Sequence, residues 1–275
     1  MSVSPLPMDY HSHHWRCGHA TGELLEYAEA AQAAGLRRFG MSDHNPAWWS
    51  SSEHPFPGTY MARAELPAYL DETRALQSLY KDTLELSVGL EVDWIEGRED
   101  DLARFLDSIS LDYALGSVHY CGGKSIFDRR RWATDNPDEV FAAYYALVAK
   151  AACSGLFDIL SHLTAVEAYA PPNTRKRAHK YYPGVADAVA EGGCLVEINT
   201  SGYRKMGEDE PFPNRTMLRL LIERGVGLTF GSDSHTPQEV TFGAARVAGL
   251  LEELGIATEV QQKQVRRGPL LQFCR

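Results

Sequence analysis

Tyr113-Ala114-Leu115-Gly116-Ser117-Val118-His119 is a short apolar run that stops on a histidine. Bounded runs of this length read as buried strands, and the pattern recurs in both directions along the chain. Upstream, Leu84 to Val92 carries Glu91 at its end, and Phe39-Gly40-Met41 stops at Ser42-Asp43-His44. Met8-Asp9-Tyr10 precedes His11-Ser12-His13, with His19 just beyond. Downstream, Phe157 to Leu160 leads into His162, and Cys194 to Ile198 into Asn199-Thr200-Ser201-Gly202. Val226 to Phe230 ends at Gly231-Ser232-Asp233-Ser234-His235.

Helical stripes separate these runs. Leu24, Ala28, Ala31, Ala34 and Leu36 form one, stopped by Gly35; Leu66 to Leu79 forms another. Leu102, Phe105, Leu106 and Ile109 make a short face, and Pro137 to Ser154 a long helix with Asn136 as N-cap. Val185–Ala190, Thr216–Glu223 and Glu239–Leu254 complete the set, the last closed by Gly255. About seven strands alternating with about seven helices predict an α/β fold with a parallel sheet covered by helices. A slightly irregular (β/α)7 barrel satisfies this within a single domain, residues 1–275. The runner-up, a doubly wound open sheet, draws ligands from few strands. Here nearly every strand ends in a ligand-type residue, and barrel strands converge at their C-terminal ends.

The chain has 275 residues, 44% of them hydrophobic, enough for one large core. Net charge is −10, from 27 basic and 37 acidic residues, which disfavours a nucleic-acid surface. An anionic substrate then needs local cations, which bound metal ions supply. Five cysteines, an odd number without a C-x-x-C pair, point to a reduced cytoplasmic protein. Met1 to Asp9 lacks a basic n-region, so no signal peptide is expected, and no apolar run is long enough for a membrane span. The expected partner is a small molecule; a homo-oligomer is left open. The long loop Asn45–Arg63 carries Trp48, Trp49, Phe56 and Tyr60 and reads as an aromatic lid.

His11, His13, His19, His44, Glu91, His119, His162, Asp233 and His235 make nine candidate ligands. One zinc takes about four, so nine exceed one ion and suffice for three if Glu91 bridges. Imidazole with carboxylate suits Zn, Fe or Mn. Asp43 reads as a support that orients His44 or another ligand from behind, and Glu197 reads equally as such a support or as core packing. Cys17 lies between His13 and His19 and is weighed as an inert thiol against a neighbour of the metal. His14, His54 and His179 fall off the pattern and read as ordinary surface or loop residues. There is no G-x-S-x-G and no phosphate-cradling P-loop. A metal-bound hydroxide is therefore the expected nucleophile, with a phosphate ester as its natural substrate.

Asp9-Tyr10-His11-Ser12-His13, Cys17-Gly18-His19-Ala20, Ser42-Asp43-His44-Asn45-Pro46, Gly89-Leu90-Glu91, Gly116-Ser117-Val118-His119-Tyr120, Ser161-His162-Leu163, Glu197-Ile198-Asn199-Thr200 and Gly231-Ser232-Asp233-Ser234-His235 run in order over nearly the whole chain. Together they resemble the polymerase-and-histidinol-phosphatase (PHP) superfamily, nearest its monofunctional histidinol-phosphatase branch. The resemblance implies a distorted (β/α)7 barrel with three metals that hydrolyses L-histidinol phosphate. It implies one ion on His11, His13, Glu91 and Asp233, a second on His19, His44 and His235, and a third on Glu91, His119 and His162. It also implies Arg204 as a phosphate ligand, and catalytic work by Asp233, His235 and Arg204.

The segment His162-Leu163-Thr164-Ala165-Val166-Glu167-Ala168 departs from the family pattern, lacking an Asp two residues after the histidine and a base soon after. Arg175, Lys176 or Arg129 are the expected substitutes for binding phosphate. Trp48 and Trp49 are expected to wall the substrate imidazole, and Glu167 or Asp128 to meet its ammonium. The alternatives are a phosphoesterase for another small monoester or nucleotide, and an amidohydrolase. The latter class favours a bridging Lys where this chain has Glu91. A non-enzymatic metal-storing or proofreading module ranks last.

Overall fold

A computed structural model describes residues 3–206 and 209–274. Eleven strands are present among them: β1 (Met8–Asp9), β2 (Arg38–Met41), β3 (Glu85–Asp93), β4 (Tyr113–Ser117), β5 (Tyr120–Cys121), β6 (Lys124–Ser125), β7 (Ile159–Leu160), β8 (Leu195–Asn199), β9 (Leu228–Gly231), β10 (Val260–Gln264) and β11 (Pro269–Phe273). Seven form one parallel sheet in the order β1-β2-β3-β4-β7-β8-β9. The sheet curls until its edges meet. Tyr10 N donates to Phe230 O at 2.9 Å and His13 N to Ser234 O at 2.8 Å, which excludes the open-sheet alternative.

The interior is filled by large rings set over glycine. A Cβ on Gly40 would stand 2.2 Å from the Tyr113 hydroxyl and one on Gly89 2.4 Å from its ring; that hydroxyl donates to Tyr10 O at 2.7 Å. Helices cover the outside. Pro137–Cys153 begins as expected, with Asn136 Oδ1 accepting from Asp138 N at 3.0 Å. Its face of Val140, Phe141, Tyr144, Leu147, Val148 and Ala151 is buried.

Two expectations fail in the last third. The helix predicted from Glu239 starts at Ala244. Thr241 and Gly243 adopt φ of 64° and 74°, Thr241 N donates to Asp9 and Thr200 to Phe242 O, so this segment seals the barrel end before the helix begins. After that helix, β10 and β11 form an antiparallel hairpin that the sequence reading lacked. No described helix is long and apolar enough to cross a membrane.

Candidate metal centre

All nine predicted ligands gather at the C-terminal mouth of the barrel. His11 Nε2 lies 3.0 Å from His13 Nε2, and Asp233 Oδ1 faces them at 3.7 and 3.2 Å. Glu91 sits at the centre. Its Oε2 is 3.6 Å from both of those nitrogens and 2.9 Å from His44 Nδ1, while Oε1 is 3.0 Å from His162 Nε2 and 3.3 Å from His119 Nε2. His13, His44 and His235 converge as a second cluster, with the His19 ring 5.2 and 4.8 Å from those of His44 and His235.

The backs of these rings show what their fronts are for. His11 Nδ1 donates to Glu197 at 2.9 Å, His119 Nδ1 to Asp93 at 3.0 Å and His235 Nδ1 to Asp233 O at 2.9 Å. The Nδ1 protons are therefore fixed at the back of each ring, and Nε2 is the inward-facing atom that would ligate once its own proton is lost. Ring nitrogens facing one another at 3.0–3.3 Å among carboxylates need protons or a cation between them. The donor set thus fits divalent metal ions.

Asp43 and Glu197 lie behind the candidate ligands. Asp43 Oδ1 lies 3.4 Å from His13 Nδ1, and Glu197 also accepts the His162 backbone N–H at 2.9 Å. A Cβ on Gly231 would strike Glu197 at 2.1 Å and His11 at 2.8 Å, so only glycine lets β9 pass beneath that pair. His162 and Asp233 take positive φ, 24° and 54°, strain tolerated where the surroundings fix a functional geometry.

Burial opposes charge throughout, and neighbours decide the outcome. His44, His119 and His11 together hold Glu91 well below the usual carboxylate range despite its burial. Against the same penalty, Glu91 and Asp93 raise His119 to about 10, and Glu197, Asp233 and Glu91 lift His11 well above the ordinary imidazole value. Burial, then His44 and His13, lowers His19 to about 4; burial, then His13, lowers His235 to about 3.

The ligands open onto a cavity of about 640 Å³ lined by Tyr60, Tyr120, Phe127, Tyr169, Arg204, Lys205 and Glu239. Arg204 stands where expected, donating to Asp233 O at 3.0 Å with its guanidinium 4.5 Å over the Phe242 ring. Lys205, which sequence reading passed over, lies 3.3 Å from Asp233 Oδ2.

Several expectations are corrected. Arg175 and Lys176 do not line the cavity; Arg175 donates to the carbonyls of Ala168 and Ala170, and Lys176 is exposed. Arg129 is exposed over the Tyr169 ring at 4.2 Å. Glu167 is buried under Tyr145, Tyr182 and Asn214, and Asp128 pairs with Arg130, so neither faces the cavity. From the aromatic loop it is Tyr60 that lines the cavity, Trp49 packing behind it. His14 is buried against Asp43, whereas His54 keeps the loop role read for it, facing Tyr60 O. Cys17 gives its thiol proton to His14 O, and burial beside Asp43 raises its pKa, so it is a poor ligand at neutral pH.

Asp9 and Asp93 were also passed over. Asp9 accepts from Ser232 N at 2.9 Å and Thr241 N at 3.1 Å, and burial raises it to about 6. Its place one residue past an apolar start, two before a ligand, was the available signal.

Residues 9–201 match the family model described as PHP domain. The chain belongs to the PHP family. Across 262 residues it is 34% identical to the "Probable histidinol-phosphatase" of Deinococcus radiodurans, covering 90% of this chain and 93% of that one. It is 28% identical over 255 residues to the histidinol-phosphatase of Bacillus subtilis, covering 85% and 95%. The fold matches that of histidinol phosphate phosphatase from Lactococcus lactis, solved with Zn, L-histidinol and phosphate, at TM-score 0.76 and 20% identity over 98% of this chain and 100% of that one.

Proposed function

We propose that this PHP barrel, a single unit over residues 1–275, hydrolyses L-histidinol phosphate to L-histidinol and phosphate. The observation that carries this reading is the convergence of nine inward-facing ligand groups beside a cavity holding the Arg204 fork. Full-length similarity to proteins named histidinol-phosphatase supports the substrate.

Three divalent ions, Zn, Fe or Mn, fit the array. His11, His13, Glu91 and Asp233 would hold the first, His19, His44 and His235 the second, and Glu91, His119 and His162 the third. Bound there, they supply Lewis acidity and an activated water for in-line attack on phosphorus. Glu91 would be shared by the first and third of these sites. Arg204, fixed by backbone carbonyls and Phe242, presents a planar fork to phosphate oxygens. Lys205 adds a second cation on the same wall, where Arg175 and Lys176 do not reach. Tyr60, Tyr120, Phe127 and Tyr169 line the cavity and would pack against the organic part of the substrate. All five cysteines are free, which fits a reducing cytoplasm.

The test is phosphate release from histidinol phosphate beside nucleotides and sugar phosphates. The expected kcat/KM advantage for histidinol phosphate is at least about tenfold, roughly 1.4 kcal/mol of transition-state binding. A flat profile would leave a general PHP phosphoesterase.

A further inference from the structure

Outside the ligand set, a chain of buried polar groups reaches the metal centre through Arg16 and His14. Arg16 Nη1 lies 2.9 Å from His14 Nε2. A guanidinium has no acceptor atom, so it must donate, and His14 Nε2 must be the lone pair. The His14 proton therefore sits on Nδ1 and goes to Asp43 Oδ2. This leaves Asp43 Oδ1 to accept from His44 N at 2.9 Å and to face His13 Nδ1 at 3.4 Å. That contact keeps the His13 proton on Nδ1 and turns its Nε2 toward His11 and Asp233. His13 belongs to both the His11–Asp233 cluster and the His44–His235 cluster, so its ring orientation bears on two ions.

Arg16 is itself pinned. Its side chain is 8% exposed, with Nε donating to Glu65 at 3.1 Å and Nη2 to Glu72 at 2.8 Å, both on the helix Glu65–Tyr80. His14 is 1% exposed and packs 5.3 Å from the Tyr69 ring of the same helix.

We infer that Arg16 and His14 are positioning residues for the metal centre, an Arg–His–Asp–His chain in which one direction of donation at the surface fixes the metal-facing nitrogen of His13. The inference rests on the reading of His13 as a ligand. Losing supports behind a ligand typically weakens metal binding about 10–100-fold.

The experiment loads the protein with zinc, challenges it with a graded chelator, and measures zinc retained alongside kcat and KM. Arg16→Met should release zinc at about 10–100-fold lower chelator concentration, with kcat reduced and KM little changed. Arg16→Lys, which restores a donor, should recover retention. Glu72→Gln, which loosens the tie to the helix but leaves Arg16 on His14, should behave like the unaltered protein. If Arg16→Met fails to fold, His14→Phe keeps the packing against Tyr69 and should show the same zinc loss. Unaltered retention in both variants, or equal loss in Glu72→Gln, overturns the inference in favour of a tie between loop and helix. His13→Ala separates the two readings: zinc retention unchanged there removes His13 from the ligand set itself, whereas loss there without loss in Arg16→Met rejects only the relay.

Discussion

His11 and His119 lie among carboxylates, whereas His19 and His235 lie chiefly among other imidazoles, and the same ring behaves oppositely in the two places. Burial works against the proton in both. Glu197, Asp233 and Glu91 around His11, and Glu91 with Asp93 around His119, overcome it and lift His119 to about 10. His19 and His235 are left at about 4 and about 3. An ion entering at either His11 or His119 must evict a proton but finds negative charge waiting. An ion entering the second pair evicts nothing and meets less compensating charge. The carboxylate side should thus hold its ions tightly and pH-dependently, and the imidazole side loosely.

The harshest test of that contrast is Glu91→Ala. It removes the carboxylate that faces both sides, and turnover should fall by about a thousandfold or more, with more than one ion lost by elemental analysis. Near-normal activity with full metal content would show that Glu91 faces the site without bridging it.

Next in size, His119→Ala and His235→Ala should part company. The first should strip a tightly held ion, the second only the one that a mild chelator already removes. Identical chelator profiles for the two would erase the difference between the sides.

Arg204→Ala should raise KM for the phosphate ester about ten- to a hundredfold, the loss of charge-assisted hydrogen bonds worth about 1.5–3 kcal/mol, without changing metal content. A wild-type KM would shift phosphate binding to Lys205.

The smallest effect is a proton count. Loading metal-stripped protein near pH 8 should release about one proton for the His119 ion and none for the His19–His235 ion, read by titration in weak buffer. The sign follows from the shifts. His119, raised above its unfolded value, stabilises the metal-free fold below about pH 6.5 and loses that contribution as pH climbs through about 10. His235, depressed, contributes above about pH 6.5 and loses it as pH falls toward 3.

The fold and the grouping of the candidate ligands are legible in the sequence because each of these residues is tied to a strand end, and strand ends are visible as the stop of an apolar run. β4 with His119 and β9 with Asp233 show this plainly. What escaped is set by contacts between segments far apart in sequence. His14 looked like a surface residue because nothing local announces Asp43 or Arg16 as its partners. Asp93 lies two residues past Glu91 on the same strand, yet only the fold brings it to His119. The helix expected from Glu239 had the right periodicity, but Thr241 is drawn to Asp9, 232 positions away. Charge and proximity in sequence point to Arg175 and Lys176, but neither fixes the direction of a side chain.

The seam where β1 meets β9 also governs when the centre comes into being. His11 and His13 leave the ribosome first among the ligands, Asp233 and His235 last, and the sheet closes only when Tyr10 finds Phe230. A growing chain that has reached His162 carries seven ligands on an unsealed sheet, lacking the carboxylate shared by the first pair of histidines. Such long-range pairing forms late and slowly. The proposed centre is therefore complete only once this seam has closed, at the end of the chain's assembly.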